Sequence, residues 1–156
     1  MKKYTECGLY IVKDSFFRDY AKPNWVQNKG ESRPHYYAIE DNGLLWLIPM
    51  TSRTESVKAK IAKEEAKRGE GNCIFYHTGF IAGVERGFKI GDMFPVTERH
   101  ILRAYTVNGA LYIVKTTALN RELRSRAVKF LALLKSGKMQ DRLGVLDTAK
   151  RLRAER

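Results

Sequence analysis

The clearest alternation of apolar and polar segments lies in the first third of the chain and predicts a β-hairpin. Tyr36 to Glu40 forms one strand-like run, and Leu44 to Met50 forms the other. The Asp41-Asn42-Gly43 segment between them has the composition of a tight turn. Because the second run, LLWLIPM, is apolar throughout, we expect it at the centre of a sheet, with Pro49 near its end.

Shorter runs predict further strands on both sides of this hairpin. Single strands are expected at Gly8–Lys13, Cys73–Tyr76 and Phe80–Val84, with Lys89–Val96 as a strand end or a tight connection. A second hairpin is expected at Arg103–Val107 and Ala110–Lys115, around an Asn108-Gly109 turn. Residues 21–34 are polar and contain Pro and Gly, which predicts a loop before the first hairpin.

Helical periodicity and capping residues predict helices at 14–20, at 56–68, at 117–136 and from about 143 to the end. Thr117 is the expected N-cap of the long third helix, and Gly137 suits the left-handed position after it. Strands therefore dominate the first two-thirds of the chain and helices the last third. This order predicts a single α+β domain over residues 1–156, with a strongly curved antiparallel sheet and helices packed on it.

Composition agrees with one folded domain and argues against several other classes of protein. The 156 residues are 44% hydrophobic and 11% aromatic, which is enough to build a core. No apolar run approaches the about 20 residues that a membrane-spanning helix needs, and the start of the chain is too interrupted for a signal peptide. We therefore expect a cytoplasmic protein. Cys7, Cys73 and the three histidines are scattered, so we expect no metal site and no cofactor.

Charge gives the strongest indication of a partner. The chain has 29 Lys and Arg against 17 Asp and Glu, a net charge of +12, and the last 42 residues hold an excess of +8. Nucleic acid is favoured over a membrane surface, since no stretch pairs this charge with an aromatic insertion face. The residues expected to bind RNA are Asn28, Arg53, Lys58, Lys60, Lys63, Lys67, Arg121, Arg124, Lys129, Lys135 and Lys138.

The common catalytic motifs are absent from the sequence. It has no glycine-rich phosphate loop, no HExxH, no GxSxG and no acidic cluster suited to two-metal phosphate chemistry. A nuclease built on this chain would use the 2′-hydroxyl of its RNA substrate as nucleophile. Protein groups would then move the protons and stabilise the charge that develops on the phosphate.

Residues of these types meet at the open end of the first hairpin. Antiparallel pairing around Asn42 places residue i near residue 84 − i, so Thr51 should lie opposite Arg33 and Ser52 opposite Ser32 if no bulge intervenes. Hydroxyl and guanidinium groups at one site suit a phosphate. The candidate catalytic residues are Thr51, Ser52, Lys29, Arg33 and His35.

Structural roles are open for the same residues. Thr51-Ser52 is also a candidate cap for the helix that begins near Ser56. His35 is also a candidate structural histidine, and Arg33 a surface charge paired with Glu31. The convergence of these residue types at one hairpin mouth, rather than any single residue, favours a functional site.

Four segments give the chain a resemblance to a known family. They are LYIVKDSFFRDY, RPHYYAIEDNGLLWLIPMTSR, GDMFPV and LLKSGKMQ, and the resemblance that runs from the first of them to the last covers most of the chain. In their order and spacing they resemble the ToxN/AbiQ/CptN family of type III toxin–antitoxin endoribonucleases, and CptN-like members most closely. The resemblance implies a barrel-like fold similar to the MazF and Kid toxins, with added helices.

The resemblance also implies an activity and a partner. Members of the family cut mRNA at adenine-rich sites without metal and leave a cyclic phosphate, and they serve in phage defence by abortive infection. A repetitive, pseudoknotted antitoxin RNA, which the toxin itself processes, inhibits them and bridges several protein copies into an assembly. The family's Thr-Ser step corresponds to Thr51 and Ser52. Its lysine falls at Ser32, so Lys29 or Arg33 would substitute, and His35 stands where an aromatic residue is usual.

Two other functions fit the charge. One is a non-catalytic RNA- or DNA-binding module, and the other is a basic interaction protein of a ribosome-associated complex. The mixture of Lys29, Arg33 and His35 beside Thr51-Ser52 favours catalysis, because binding alone does not require it. Since two copies of charge +12 repel each other, we expect the protein to be a monomer or weak dimer that multimerises with RNA.

Overall fold

The computed structural model describes residues 4–26, 28 and 30–155, and in them it shows an antiparallel sheet with helices packed on it. The strands are β1 (Leu9–Val12), β2 (Pro34–Asp41), β3 (Leu44–Thr51), β4 (Tyr76–Ile81), β5 (Val84–Lys89), β6 (Phe94–Val96), β7 (Ile101–Ala104), β8 (Thr106–Val107) and β9 (Ala110–Leu111). The helices are α1 (Asp14–Tyr20), α2 (Thr54–Arg68), α3 (Thr117–Lys135) and α4 (Val145–Ala154). Short 3₁₀ turns lie at Ile90–Asp92 and Glu98–His100.

Strand β3 lies at the centre of the sheet, as its apolar sequence predicted. The strand order is β4-β5-β3-β2-β1-β7, and β6 also pairs with β3. Leu45 to Leu47 pair with β6, whereas Met50 and Thr51 pair with β5 on the same edge. Leu44 to Met50 are all buried, because the strand is covered on both faces. The prediction of an antiparallel α+β fold is confirmed.

The sheet is not closed into a barrel, in contrast to what the family resemblance implied. Within the described part of the chain, β4 pairs only with β5, and β7 pairs only with β1. β6 pairs with Leu45 to Leu47 on the edge of β3 away from β2, and the β4–β5 hairpin joins the same edge through only two residue pairs, Met50–Phe88 and Thr51–Gly87. The hairpin therefore extends beyond the main sheet instead of closing it.

The register of the β2–β3 hairpin determines which residues meet at its open end. The turn has two residues, Asn42 and Gly43, both with positive φ, and Asp41 pairs with Leu44. An extra residue, Ala38, then shifts the register, so His35 pairs with Pro49. Beyond this bulge the pairs follow the predicted rule that residue i lies near residue 84 − i.

The predicted strands at 73–76 and 80–84 are wrong in position. The structure has one hairpin there, with β4 and β5 joined at Ala82 and Gly83, both of positive φ. Gly79 lies within β4 rather than in a turn, and the position suits glycine because a β-carbon there would come within 2.5 Å of the Leu119 side chain. The second predicted hairpin keeps its Asn108-Gly109 turn but has only the two-residue strands β8 and β9.

Helices α2 and α3 cover opposite faces of the β4–β5 hairpin. Val57 of α2 packs over Gly87, and Leu119 of α3 packs over Gly79. Gly87 pairs with Thr78, the residue before Gly79, and adjacent positions on a strand point to opposite faces. No helix of the described residues is long and apolar enough to cross a membrane.

Two buried histidines make the fold sensitive to acid. Burial lowers the pKa of His35 to about 3 and the pKa of His100 to about 4. In the unfolded chain the pKa of a histidine is about 6.5, so the unfolded state takes up these protons first as the pH falls. The free energy of unfolding is therefore largest above about pH 6.5 and decreases as the pH falls toward 4. For the fully buried His35 the loss is about 1.4 kcal/mol per pH unit. Thermal melts across this range measure the effect. His35→Phe should flatten the slope, and an unchanged slope would contradict the assignment.

Candidate functional site

The open end of the β2–β3 hairpin forms a small cleft. Its volume is about 140 Å³, and its lining is Ser32, Arg33, Pro34, Met50, Thr51, Ser52 and Arg86. The structure therefore brings together the hydroxyls of Thr51 and Ser52 and the guanidinium of Arg33, as the hairpin register predicted. Arg86 comes from β5, which reaches the cleft because Gly87 pairs with Thr51.

Hydrogen bonds to β1 and α1 hold the segment that enters the hairpin. The Asn28 side chain donates to the Val12 carbonyl and to Asp14 Oδ1, each at 2.8 Å. The Glu31 carboxylate accepts a 2.8 Å bond from the backbone N–H of Asp14. Glu31 thus anchors the loop to the start of α1 instead of forming the ion pair with Arg33 that was one structural alternative.

The segment that leaves the hairpin presents the second hydroxyl to solvent. Thr51 Oγ1 accepts a 3.1 Å bond from the Arg53 N–H, which forms a local turn before α2. Ser52 is exposed, and its carbonyl accepts from the Thr54 N–H at 2.9 Å. The N-cap of α2 is Arg53, and no side chain caps it. The Ser52 hydroxyl is therefore not used as a helix cap.

Arg33 is the most unusual polar group of the cleft. Its Nη1 atom is buried and makes no hydrogen bond with any group in residues 4–26, 28 and 30–155. Burial, and then the nearby charge of Arg53, lowers the pKa of the Arg33 guanidinium. A partly desolvated cation without an anion costs folding free energy, and it is the arrangement expected at an anion-binding site.

Further cations surround the cleft. Burial lowers the pKa of Lys89, and the charges of Lys60, Arg33 and Arg53 lower it further, whereas Asp92 raises it. The Lys60 ammonium lies 5.3 Å from the centroid of the Tyr76 ring. A polyanion placed here would relieve the repulsion among these side chains.

Two residues predicted for the site have other positions, and a third lies outside the described residues. His35 is fully buried between Phe17 and Phe94, at ring-centroid distances of 6.1 and 5.3 Å. This placement gives it a packing role, so it is removed from the catalytic candidates. Asn28 is also buried, and its amide anchors the loop, so it is removed from the RNA-binding candidates. Lys29 lies outside the described residues.

The predicted RNA-binding cations lie on two separate surfaces. Lys58, Lys60, Lys63 and Lys67 are exposed on α2, where Lys58 forms a 2.8 Å ion pair with Glu85. Arg121, Arg124 and Lys129 line a shallow groove on α3, and Lys135 and Lys138 lie at its end. Arg124 pairs with Glu6 at 3.2 Å, and Lys135 pairs with Asp41 at 2.6 Å. Because α2 and α3 cover opposite faces of the β4–β5 hairpin, the two sets do not form one surface.

Arg86 and Lys89 were missed by the sequence analysis. Both lie on β5, a strand that the sequence pattern placed several residues too early. The useful signal was VERGFK, in which a glycine suits close approach to another element. Without the pairing of Gly87 with Thr51, nothing in the sequence connects these cations to the first hairpin.

The cleft has the groups to bind a phosphodiester and to stabilise negative charge on it. Hydroxyls and guanidinium groups donate hydrogen bonds to phosphoryl oxygens, and such bonds strengthen as charge develops. None of the described residues that line the cleft is a carboxylate or an imidazole. Proton transfer would therefore need a group at its margin.

A comparison with solved structures confirms, at the level of the fold, the resemblance that the sequence motifs indicated. One similar structure is the ToxN–ToxI complex, described as "A processed non-coding RNA regulates a bacterial antiviral system". The match has a TM-score of 0.54 and 14% sequence identity, and it covers 85% of this chain and 89% of that chain. No protein-family model and no curated protein sequence matches the chain. At this identity the likeness shows the fold alone.

Proposed function

We propose that this protein is a metal-independent endoribonuclease that acts as the toxin of a type III toxin–antitoxin pair. The observation that carries the proposal is the cleft in which Thr51, Ser52 and Arg33 meet, with Arg33 Nη1 buried and without a hydrogen-bond partner among the described residues. The net charge of +12 and the fold shared with a protein from an RNA-regulated antiviral system support it. The proposed substrate is single-stranded mRNA at adenine-rich sites.

In the proposed reaction, the 2′-oxygen of one nucleotide attacks the adjacent phosphorus and gives its proton to a base. The bond from phosphorus to the 5′-oxygen of the next nucleotide breaks, and that oxygen takes up a proton. The products carry a 2′,3′-cyclic phosphate and a 5′-hydroxyl. Ser52 and Thr51 donate hydrogen bonds to the phosphoryl oxygens, and Arg33 and Arg86 stabilise their charge. Lys89 lies on β5 two positions from the Gly87 that pairs with Thr51, at the margin of the cleft, and is the candidate proton acceptor; the lowering of its pKa by burial is consistent with that role.

The proposed inhibitor is an antitoxin RNA that the toxin cuts into repeats and then retains. Two basic surfaces on opposite faces of the β4–β5 hairpin suit an RNA that contacts two protein copies at once. The product end of one repeat would occupy the cleft of one copy, and its body would contact the α3 groove of the next. The proposed particle is therefore a homo-oligomer bridged by RNA, without a separate protein partner.

Cleavage of single-stranded RNA in EDTA is the experiment that tests the activity. We expect discrete fragments from adenine-rich RNA, since the described cleft supplies cations and hydroxyls for charge stabilisation. A non-catalytic RNA-binding module is the second candidate function. It is favoured by the lack of a carboxylate or imidazole among the described cleft residues, and it predicts binding without any fragment.

Binding of the antitoxin RNA should weaken steeply with salt. Each phosphate contact contributes a slope of about −0.7 to −0.9 in log affinity against log salt. Within the described part of the chain Lys129 forms no ion pair, whereas Lys135 pairs with Asp41 at 2.6 Å. Lys129→Gln should therefore reduce the slope by nearly one contact, and Lys135→Gln, the matched control, by less. Titrations at several salt concentrations measure both, and a slope near zero for the wild type would overturn the electrostatic interpretation.

A further inference from the structure

A second and larger cavity lies between α2, the β4–β5 hairpin and the end of α3. Its volume is about 300 Å³, at the lower end of the range for small-ligand sites. Aromatic side chains line part of the cavity. The polar side chains next to them make few contacts within the protein. We call it the base pocket and define it by Phe75, Tyr76, Asp92, Phe130, Gln140 and Arg142.

The apolar part of the base pocket suits a flat ring. Phe75 and Phe130 meet edge to face, with their centroids 6.0 Å apart and their planes at 86°. Gly91 leaves room beside Phe75, since a β-carbon there would lie 3.5 Å from that side chain. Phe130 is buried and Phe75 is partly exposed, so the Phe75 ring is the one available to stack on a nucleobase, and such stacking does not distinguish sequence.

The polar part of the pocket suits the hydrogen-bonding edge of such a ring. Asp92 is half-buried, and no group in residues 4–26, 28 and 30–155 donates a hydrogen bond to its carboxyl group. Burial raises the pKa of Asp92, and the charges of Lys89, Arg142 and Lys60 oppose this effect. The side-chain amide of Gln140 and the hydroxyl of Tyr76 likewise make no hydrogen bond with the described residues. A carboxyl oxygen accepts hydrogen bonds from an amino group on a base edge.

The charges around the pocket point to a nucleotide rather than a neutral ring. Lys60, Lys89 and Arg142 are close enough to Asp92 to shift its pKa, so cations surround the carboxyl group. Lys89 is also close enough to Arg33 and Arg53 for their charges to lower its own pKa. Tyr76 pairs with Lys89, two positions along β5 from the Gly87 that pairs with Thr51. The backbones of Tyr76 and Thr51 are therefore roughly 12 Å apart by strand geometry.

We propose that the base pocket binds one unstacked nucleobase with an exocyclic amino group, from the same RNA strand whose phosphate occupies the cleft. That the ligand is an RNA strand rests on the proposed function. That one of its bases enters this pocket rests on the residues that line the pocket. Phe75 stacks against the base with Phe130 at the edge of the base, the carboxyl group of Asp92 accepts from its amino group, and Lys60 contacts a flanking phosphate. Uracil, which has no amino group, binds less tightly.

Uncleavable RNA tests the pocket separately from catalysis. Short 2′-O-methyl homopolymers of adenosine, cytidine and uridine are titrated against the full-length protein by fluorescence anisotropy. The adenosine or the cytidine polymer should bind about fivefold or more tightly than the uridine polymer. Asp92→Ala, which removes the acceptor oxygens, and Phe75→Leu should remove most of this preference. Glu55→Ala on exposed α2 and Phe80→Leu at the exposed hairpin tip are the matched controls and should retain it.

Each result decides between the two proposals. Equal binding of the three polymers, or a preference that survives Asp92→Ala and Phe75→Leu in folded protein, would overturn the base pocket even if unmodified RNA is cut. A preference that depends on Asp92 and Phe75, in a protein that cuts no unmodified RNA, would support the pocket and reject the nuclease. Circular dichroism of each variant confirms that the fold is retained.

Discussion

Replacing Arg33 with methionine is expected to raise thermal stability and, in the same protein, to lower RNA cleavage about a hundredfold or more. The two effects share one cause. Arg33 Nη1 is buried without a partner among the described residues, and such a group costs about 1–3 kcal/mol of stability. Methionine keeps an unbranched apolar stem but ends short of the guanidinium, so it removes the buried charge and its donors. A gain of 1 kcal/mol corresponds to about 2–4 °C in a chain of this size.

The loss of cleavage follows from the same unsatisfied group. If the Arg33 guanidinium meets its anion only when RNA is bound, its removal withdraws transition-state stabilisation of about 2.7–4 kcal/mol. Arg33→Lys keeps the charge but not the planar fork, so it should retain part of the activity. Arg103→Met on β7 is the matched control, because Arg103 is exposed and does not line the cleft. A variant that is both less stable and fully active would show that Arg33 is a structural cation.

Ser52→Ala should lower the rate of cleavage about a hundred- to a thousandfold and leave RNA binding and stability nearly unchanged. Ser52 is exposed, and the start of α2 has no side-chain cap, so the fold does not depend on its hydroxyl. The expected decrease in the cleavage rate therefore reflects the chemical step and not binding or folding. Single-turnover rates at saturating RNA, binding affinities and thermal melts measure the three quantities separately.

Ser56→Ala is the matched control for Ser52→Ala. Ser56 is also exposed and lies in the first turn of α2, so its replacement removes the same hydroxyl a short distance from the cleft. It should leave cleavage unchanged. A fully active Ser52→Ala would exclude a catalytic role for this hydroxyl, and a parallel loss of affinity would make Ser52 a binding residue.

The meeting of Thr51, Ser52 and Arg33 was predictable because apolar patterning and turn chemistry set the hairpin. The predicted register at the cleft was correct, but only because two differences from the predicted hairpin compensate for each other. The turn has two residues rather than three, and the bulge at Ala38 offsets the difference before the strands reach the cleft. Periodicity does not show this bulge, since the neighbouring residues from Tyr36 to Ile39 are all apolar and buried.

The parts that were not predictable depend on contacts between distant segments. Gly79 resembles a turn residue in the sequence, but it lies within β4, where the packing of Leu119 leaves no room for a β-carbon. That misplacement concealed β5, and with it Arg86 and Lys89. His35 is a residue type that often acts in catalysis, but here Phe17 and Phe94 enclose its ring. The local sequence pattern does not predict this burial.

The central claim, cleavage through the 2′-hydroxyl at a metal-independent site, is tested most directly with a pair of matched RNAs. One is a single-stranded, adenine-rich RNA, and the other differs by one 2′-deoxynucleotide on the 5′ side of the cut. In EDTA the wild-type protein should cut the first RNA and leave a fragment ending in a 2′,3′-cyclic phosphate by mass spectrometry. It should not cut the second RNA at that position. Cleavage that needs added magnesium, or equal cleavage of the two RNAs, would contradict the account.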